Sequence, residues 1–274
     1  KSWKNVNTHY LSVIQDPWYR KLIDIENLIS IYTLKFYEQR GIKTLYLPTT
    51  TGSISSPMGL GSDSLPVKVN LCNVDTYLAD SMQFLLEYGC RIIPNGCYYL
   101  MPSFRGEDAD ERHLCQFYHS EAEIPGTLED VIQLVEEYIR FMCSNILDIY
   151  ADELKEVAGD ISHVEKMLNK NGKIDRITMD DAISLLNNNP DYITYHEAGF
   201  RILNRKGEQA LMNKFDGMVW LTKFDALSVP FYQAVDKSNP QKALNADLLL
   251  GIGEVVGAGE RHVNGEEVYR ALNR

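Results

Sequence analysis

The chain has 274 residues, enough for one large core or two small ones, and its 45% hydrophobic and 24% charged residues are the proportions of an ordinary globular protein, in which long disorder is not expected. Its five cysteines are odd in number and form no C-x-x-C pair, and the formal charge is -11, which together speak against a disulfide framework, a zinc ribbon and non-specific wrapping of nucleic acid. Nowhere do about 18 apolar residues run together, and Lys1-Ser2-Trp3-Lys4-Asn5 lacks the apolar centre of a signal peptide, so a cytoplasmic location without membrane contact is expected, with residues trimmed before Lys1.

From Asp16 to Arg40 the residues Trp18, Leu22, Ile25, Leu28, Ile29, Tyr32, Leu34 and Phe36 recur at three- and four-residue steps, the pattern of a buried helix face, and Gly41 stands where a helix C-cap glycine would. Ile42 to Leu47 reads as a strand closed by Pro48, followed by a Gly/Ser/Thr-rich loop to Ser64. Val67 to Leu71 alternates as a strand, Thr76 to Tyr88 reads as a helix ending at Gly89, and Arg91–Pro94 and Cys97–Met101 read as short strands.

After a charged segment from 105 to 113, Cys115 to Glu123 reads as another strand. Thr127, with Asp130 three residues on, caps an amphipathic helix running to about Tyr150. Residues 151–215 are more polar and read as a helical insertion. Strand signal returns at Met218–Thr222, Pro230–Ala234 and Ala246–Leu250, before the glycine-punctuated stretch Gly251 to Gly259. The order of elements predicts an α+β fold, a mostly antiparallel sheet flanked by helices, in one domain over 1–274.

Chemistry concentrates between Phe104 and Glu123. A strand, charged loop, strand hairpin there can hold a triphosphate with Arg105 and Arg112, because guanidinium forks pair bidentately with phosphate oxygens. Phe117, on the return strand, is placed to stack on a purine. Taken alone, Asp108, Asp110, Glu111 and Arg112 are better read as a solvated, self-neutralising charge run. Asp247 and Glu254 lie in or beside an apolar run, where a carboxylate needs a cation or an arginine.

The stretch Phe104-Arg105-Gly106-Glu107, Arg112-His113-Leu114 and Phe117, closing with Glu121-Ala122-Glu123, resembles the second signature motif of class II aminoacyl-tRNA synthetases, in their aspartate/asparagine subgroup. The resemblance implies that Arg105 holds the ATP α-phosphate, that Glu107 acts near adenine or the metal-bound phosphates, that Arg112 and His113 reach the γ-phosphate and that Phe117 stacks on adenine. The run from Asp247 to Arg261 is similar to the subgroup's block of magnesium-binding acids, here Asp247 and Glu254, and a substrate-binding arginine, here Arg261. Magnesium is a hard cation usually held by one or two carboxylates plus phosphate oxygens.

Weaker likenesses fill the interval. Gln39-Arg40-Gly41-Ile42 leading to Pro48 resembles the first motif, which implies a homodimer. The segment Ser81 to Glu87 resembles the helix that presents an amino-acid-binding glutamine, here Gln83, and Glu87 fits the asparagine branch. Pro230-Phe231-Tyr232 resembles a further subgroup marker.

Three features depart from the pattern. The family's N-terminal anticodon-binding β-barrel, roughly 100 residues, has no counterpart here. In the loop after Pro48 only Asp63 can replace the acid that meets the substrate amino group. The glycine-rich third motif, with its arginine, belongs downstream of Arg261, and is not found by Arg274.

The resemblance therefore implies ATP- and magnesium-dependent activation of an aspartate- or asparagine-like amino acid as an adenylate. Transfer to ammonia or another amine acceptor would give an amide, as in the asparagine synthetases that resemble this subgroup. A catalytic domain of an asparaginyl- or aspartyl-tRNA synthetase, with tRNA as acceptor, and a non-catalytic binding paralogue stand as alternatives. His9, His119, His163 and His196 lack metal-ligand spacing and read as ordinary surface or core residues, whereas His262 is placed either to touch substrate or to bond backbone.

Overall fold

The computed structural model describes residues 5, 7–55, 60, 64–110, 112–169 and 173–273. Asp63 and Glu111 lie outside the described residues. A short helix, α1 (His9–Gln15), precedes α2 (Pro17–Glu38). Pro17 has no N–H to leave unsatisfied at the first helical position, and Asp16 accepts from the Trp18 N–H at 2.9 Å. The C-terminal half of α2 carries the burial, with Thr33, Phe36 and Tyr37 enclosed. Trp18, Leu22 and Leu34, expected on the buried face, are exposed at 45%, 36% and 51%.

Next come β1 (Lys43–Thr44), β2 (Thr50–Thr51), β3 (Val67–Leu71), β4 (Val74–Leu78), α3 (Gln83–Gly89), β5 (Cys97–Phe104) and β6 (Gln116–Glu123). The helix expected from Thr76 is instead the end of a strand, and the helix starts only at Gln83. Cys72 and Asn73 adopt left-handed φ of 53° and 65° and fold the chain back, so that Val67 faces Leu78 and Leu71 faces Val74. Arg91–Pro94 is a turn and not a strand, because the N–H groups of Arg91 and Ile93 bond back to Tyr88 and Gly89. β1 pairs in parallel with β5, and β5 with β6 antiparallel, with Cys97 opposite Glu123 and Phe104 opposite Gln116.

The capping box holds at the start of α4 (Leu128–Ala158), where the Thr127 N–H donates to Asp130 Oδ2 at 2.7 Å. Tyr150, at φ -130° and ψ 21°, interrupts the helical backbone, and the helix resumes to Ala158. Then follow α5 (Ser162–Asn169), β7 (Arg176–Thr178), α6 (Met179–Leu185), β8 (Ile193–Tyr195), β9 (Arg201–Leu203) and α7 (Arg205–Lys214). The 151–215 stretch thus mixes helices with short strands, and β7 pairs in parallel with the next strand, β10 (Met218–Thr222). Met179, Ile183, Leu211 and Met212 pack on Val219, Leu221 and Leu249 in one core cluster.

The chain closes with β11 (Val235–Asp236), β12 (Asn239–Ala243), β13 (Asn245–Leu250), β14 (Gly253–Gly259) and α8 (Gly265–Leu272). Pro230–Ala234, expected as a strand, is a turn held by Gln233 N–H to Pro230 O at 3.1 Å, with Gln233 bridging to Arg261. The second main sheet has the order β14-β13-β10-β7. Its apolar face, with Trp220, Ala246, Leu248 and Ala258, packs on Ile132 of α4. Trp220 Nε1 donates at 3.0 Å to the buried Glu136 of α4, which supplies the indole with its acceptor. No helix among the described residues is long and apolar enough to cross a membrane.

Candidate active site

The loop between β5 and β6 is closed at its base by the Arg105 N–H donating to Cys115 O at 2.9 Å. Asp110 organises its tip. One carboxylate oxygen accepts from the N–H groups of Arg112 and His113 at 2.7 and 2.8 Å, and His113 Nδ1 lies 3.0 Å away. These bonds hold the Asp110 carboxyl well below the usual carboxylate range. Part of the charge run is therefore scaffolding for the arginine and histidine that follow it.

Arg105, Arg112, His113, Phe117 and Glu254 line one cavity of about 500 Å³, walled by β6 on one side and β14 on the other. The Arg105 guanidinium stands 5.4 Å from the Phe117 ring centroid. Arg112 Nη1 donates to Ile252 O at 2.8 Å and to Glu208 Oε2 at 3.4 Å. The Nε atoms of Arg105 and Arg112 are buried without a hydrogen-bond partner among the described residues. Two arginines with unspent donors at one cavity fit an anionic ligand.

Asp247 and Glu254 come from facing strands of the β13–β14 hairpin and converge beside Gly257, where a side-chain carbon would stand 3.0 Å from Glu254 Oε1 and 3.8 Å from Asp247 Oδ1. Burial raises the Asp247 carboxyl well above its ordinary value, and the charges of Glu254 and Glu208 add to the rise. Glu254 opens onto the cavity. Loss of surrounding water and the Glu208 charge push it up, against Arg105, His113 and Arg112. Among the described residues no three His, Cys, Asp or Glu side chains form a closed metal cage. Two acids that repel one another beside a cavity lined by Arg105 and Arg112 fit the mode of magnesium, which takes one or two carboxylates and completes its shell with phosphate oxygens and water.

A second cavity, about 180 Å³, shares Ser120, Glu121, Val256 and Gly257 with the first and is lined further on by Gln83, Glu123, Gln233 and Arg261. Arg261 Nη2 donates to Gln83 Oε1 at 2.6 Å and also to Glu123 Oε1, while Nε donates to the same Glu123 oxygen at 3.1 Å. Its guanidinium lies 4.7 Å from the Tyr232 ring centroid, and Glu87 approaches Nε at 4.0 Å. Gln83 Nε2 donates to the Tyr232 hydroxyl at 3.3 Å. Burial raises the Glu123 carboxyl, opposed by Arg261. Glu121 accepts from the Ser81 hydroxyl at 2.7 and 2.9 Å, and burial pushes its carboxyl up to about 8.

The structure thus gathers Arg105, Arg112, His113, Phe117 and Glu254 at one cavity, sets Asp247 beside Glu254, and brings Gln83 and Arg261 to the other, while Glu87 lines neither cavity and approaches Arg261 Nε only at 4.0 Å. Glu107 is placed elsewhere: its Oε2 accepts from the Leu65 N–H at 2.9 Å, and it lines neither cavity. His262 bonds the Phe231 carbonyl at 3.0 Å. Sequence reading missed Glu208, which reaches the cavity from α7, and His119, whose ring lies 2.8 Å from the Ser103 hydroxyl and edge-on to Phe117. Burial and Arg105 hold His119 down at about 4, so it is neutral. The two-residue step from Phe117 through His119 and Glu121 to Glu123 marks one face of β6 and was the available signal for His119. Glu208 had none, since an acid in a first helical turn reads as a response to the helix dipole.

A family model described as tRNA synthetases class II (D, K and N) matches residues 3–274. Among solved structures, asparaginyl-tRNA synthetase from Pyrococcus horikoshii complexed with asparaginyl-adenylate aligns with a TM-score of 0.83 at 21% identity, over 95% of this chain and 58% of that one. Asparaginyl-tRNA synthetase from Entamoeba histolytica aligns with 0.80 at 22% identity, over 97% and 58%. Aspartyl-tRNA synthetase from the same organism gives 0.71 at 18% identity, over 96% and 50%. The chain spans between half and three fifths of these proteins' length.

Proposed function

Because the chain belongs to the family of class II tRNA synthetases for aspartate, lysine and asparagine, we propose that its two joined cavities bind ATP and an aspartate- or asparagine-like amino acid and couple them as an aminoacyl-adenylate. The observation that carries this reading is that the two cavities adjoin: Arg105 and Arg112 line one, Gln83, Glu123 and Arg261 line the other, and Glu121 and Gly257 belong to both. The amino acid sits in the smaller cavity, its side chain toward Arg261, Gln83 and Glu87. Its carboxylate attacks the ATP α-phosphorus in line and pyrophosphate leaves, a reaction that needs positioning and charge neutralisation more than a protein nucleophile.

In this reading Arg105 neutralises the α-phosphate, Arg112 and His113 meet the phosphates farther along, and Phe117 stacks on adenine. Asp247 and Glu254 would hold magnesium, whose chemistry is to neutralise the pyrophosphate charge. The position of Glu107 favours a role in fixing the loop at Leu65 over direct contact with nucleotide.

We place ammonia or another amine as the acceptor of the adenylate, giving an amide. A second reading, transfer to tRNA, is favoured by the likeness to asparaginyl-tRNA synthetases over nearly the whole chain. Exchange of labelled pyrophosphate into ATP across an amino-acid panel tests the first step. Its absence with every amino acid sinks the proposal. Adding ammonia or tRNA and following amide or aminoacyl-tRNA then separates the two acceptors.

A homodimer completes the proposal. Ile23, Ile31 and Leu34 leave exposed apolar side chains along one side of α2, a kind of surface that proteins often cover with a partner. A monomeric mass by light scattering would exclude it.

A further inference from the structure

Arg112 and Glu208 tie together three places far apart in sequence: the loop between β5 and β6, the first turn of α7, and the turn between β13 and β14. Both side chains are mostly enclosed, at 18% and 20% exposure, and both line the larger cavity. Gly253 leaves room for the pair. A side-chain carbon there would collide with Arg112 Nη1 and stand 3.2 Å from Glu208 Oε2.

The two side-chain bonds of Arg112, to Glu208 and to Ile252 O, both use Nη1, while Nε is left without an acceptor among the described residues. The guanidinium is gripped by one corner. Glu208 is also a third carboxylate near Asp247 and Glu254, in a cavity read here as binding phosphates. By charge alone it would repel the ligand. An acid in that place needs a compensating role, and its contact with Arg112 supplies one.

Resting on the reading of this cavity as a nucleotide site, we propose that Glu208 is a positioning residue that, with the Ile252 carbonyl, fixes Arg112 at the cavity wall so that its fork meets the phosphates beyond the first. Two other roles make different forecasts. If Glu208 acts only as a nearby negative charge, neutralising it tightens ATP binding. If it only braces α7, losing it weakens every ligand alike.

Calorimetric titration with ATP and with AMP, in magnesium buffer, separates these outcomes for the unaltered chain, Glu208→Gln, Arg112→Met and the double variant. Glu208→Gln is expected to weaken ATP binding roughly threefold to tenfold, while AMP binding stays within about twofold. In the Arg112→Met background the same change adds no further weakening, and Glu208→Asp retains most of the affinity for ATP. Tighter or unchanged ATP binding in Glu208→Gln, an equal loss for ATP and AMP, or a loss that persists without Arg112 would each overturn the proposal. If the unaltered chain binds neither nucleotide, the nucleotide reading itself falls.

Discussion

Arg261 and Glu123 neutralise one another at the smaller cavity, with two guanidinium nitrogens on one carboxylate oxygen and both side chains mostly enclosed, at 17% and 16% exposure. The cation in the proposed amino-acid pocket is therefore already paired before a substrate arrives. A neutral side-chain amide suits such a pocket better than a second carboxylate. Glu123→Gln unpairs Arg261 and should raise the ratio of aspartate- to asparagine-dependent pyrophosphate exchange, as kcat/KM, by roughly tenfold. The variant should lose about 1–3 kcal/mol of stability in urea titration, since glutamine keeps the shape but not the charge of a buried partner. An unchanged ratio would show that Arg261 does not read the substrate's charge.

Arg105 combines a backbone bond at the base of the loop with a side chain that has unspent donors at the larger cavity. Its substitution separates folding from chemistry. Arg105→Ala keeps the backbone bond, so thermal unfolding should shift little, while kcat for pyrophosphate exchange falls by about two to three orders of magnitude, as when a pre-placed donor to a developing charge is removed. Loss of kcat together with a large fall in melting temperature would assign Arg105 to the fold instead.

The hairpin that carries this arginine was legible in the sequence because the charged loop interrupts two stretches of strand-like alternation. Of the second hairpin only the first strand was legible, at Ala246–Leu250, because the glycines from Gly251 to Gly259 hid the alternation of β14. The β3–β4 hairpin was not legible, since its turn residues are Cys72 and Asn73 without glycine, and Tyr77, Leu78, Met82, Leu85 and Leu86 are spaced to suit a helix as well as a strand followed by one. At the candidate site, residues sharing a strand or hairpin could be grouped by period. Glu208 could not, because only the packing of α7 brings it to Arg112. The contact of Glu107 was hidden for the converse reason: its partner, the Leu65 N–H, is 42 positions away.

Asp247 and Glu254 set stability against ligand binding. Burial raises both carboxyls, the Glu208 charge adds to the rise at each and the Glu254 charge adds at Asp247, so the ligand-free protein holds them at a cost. Asp247→Asn should raise the melting temperature of the ligand-free protein, by an amount equivalent to about 1 kcal/mol. The same variant should lose the extra stabilisation that magnesium and ATP together give the unaltered chain, which at saturating ligand amounts to roughly 2–3 kcal/mol. Differential scanning calorimetry with and without magnesium and ATP checks both halves. A variant that is less stable alone but still stabilised by the ligands would remove Asp247 from the metal site.

Glu121 makes stability depend on pH in a direction opposite to that of most carboxylates. Burial raises its carboxyl from an ordinary 4.5 to about 8, and the Ser81 hydroxyl opposes the rise without cancelling it. With the folded value above the unfolded one, the native state keeps a proton that the unfolded chain has released, so the native protein binds more protons than the unfolded chain through the interval. The stabilisation is full below about 4.5 and disappears as pH rises through about 8. Because the side chain retains 24% exposure, the change across that window is discounted to about 2 kcal/mol. Glu121→Gln holds the neutral form at every pH and should flatten this part of the profile, while Asp247, raised for similar reasons, leaves a residual slope in the same direction. Urea titrations at pH 5, 6, 7 and 8 on both proteins give the comparison. Parallel profiles would mean that Glu121 is ionised throughout, with water or a cation reaching it from the junction of the two cavities.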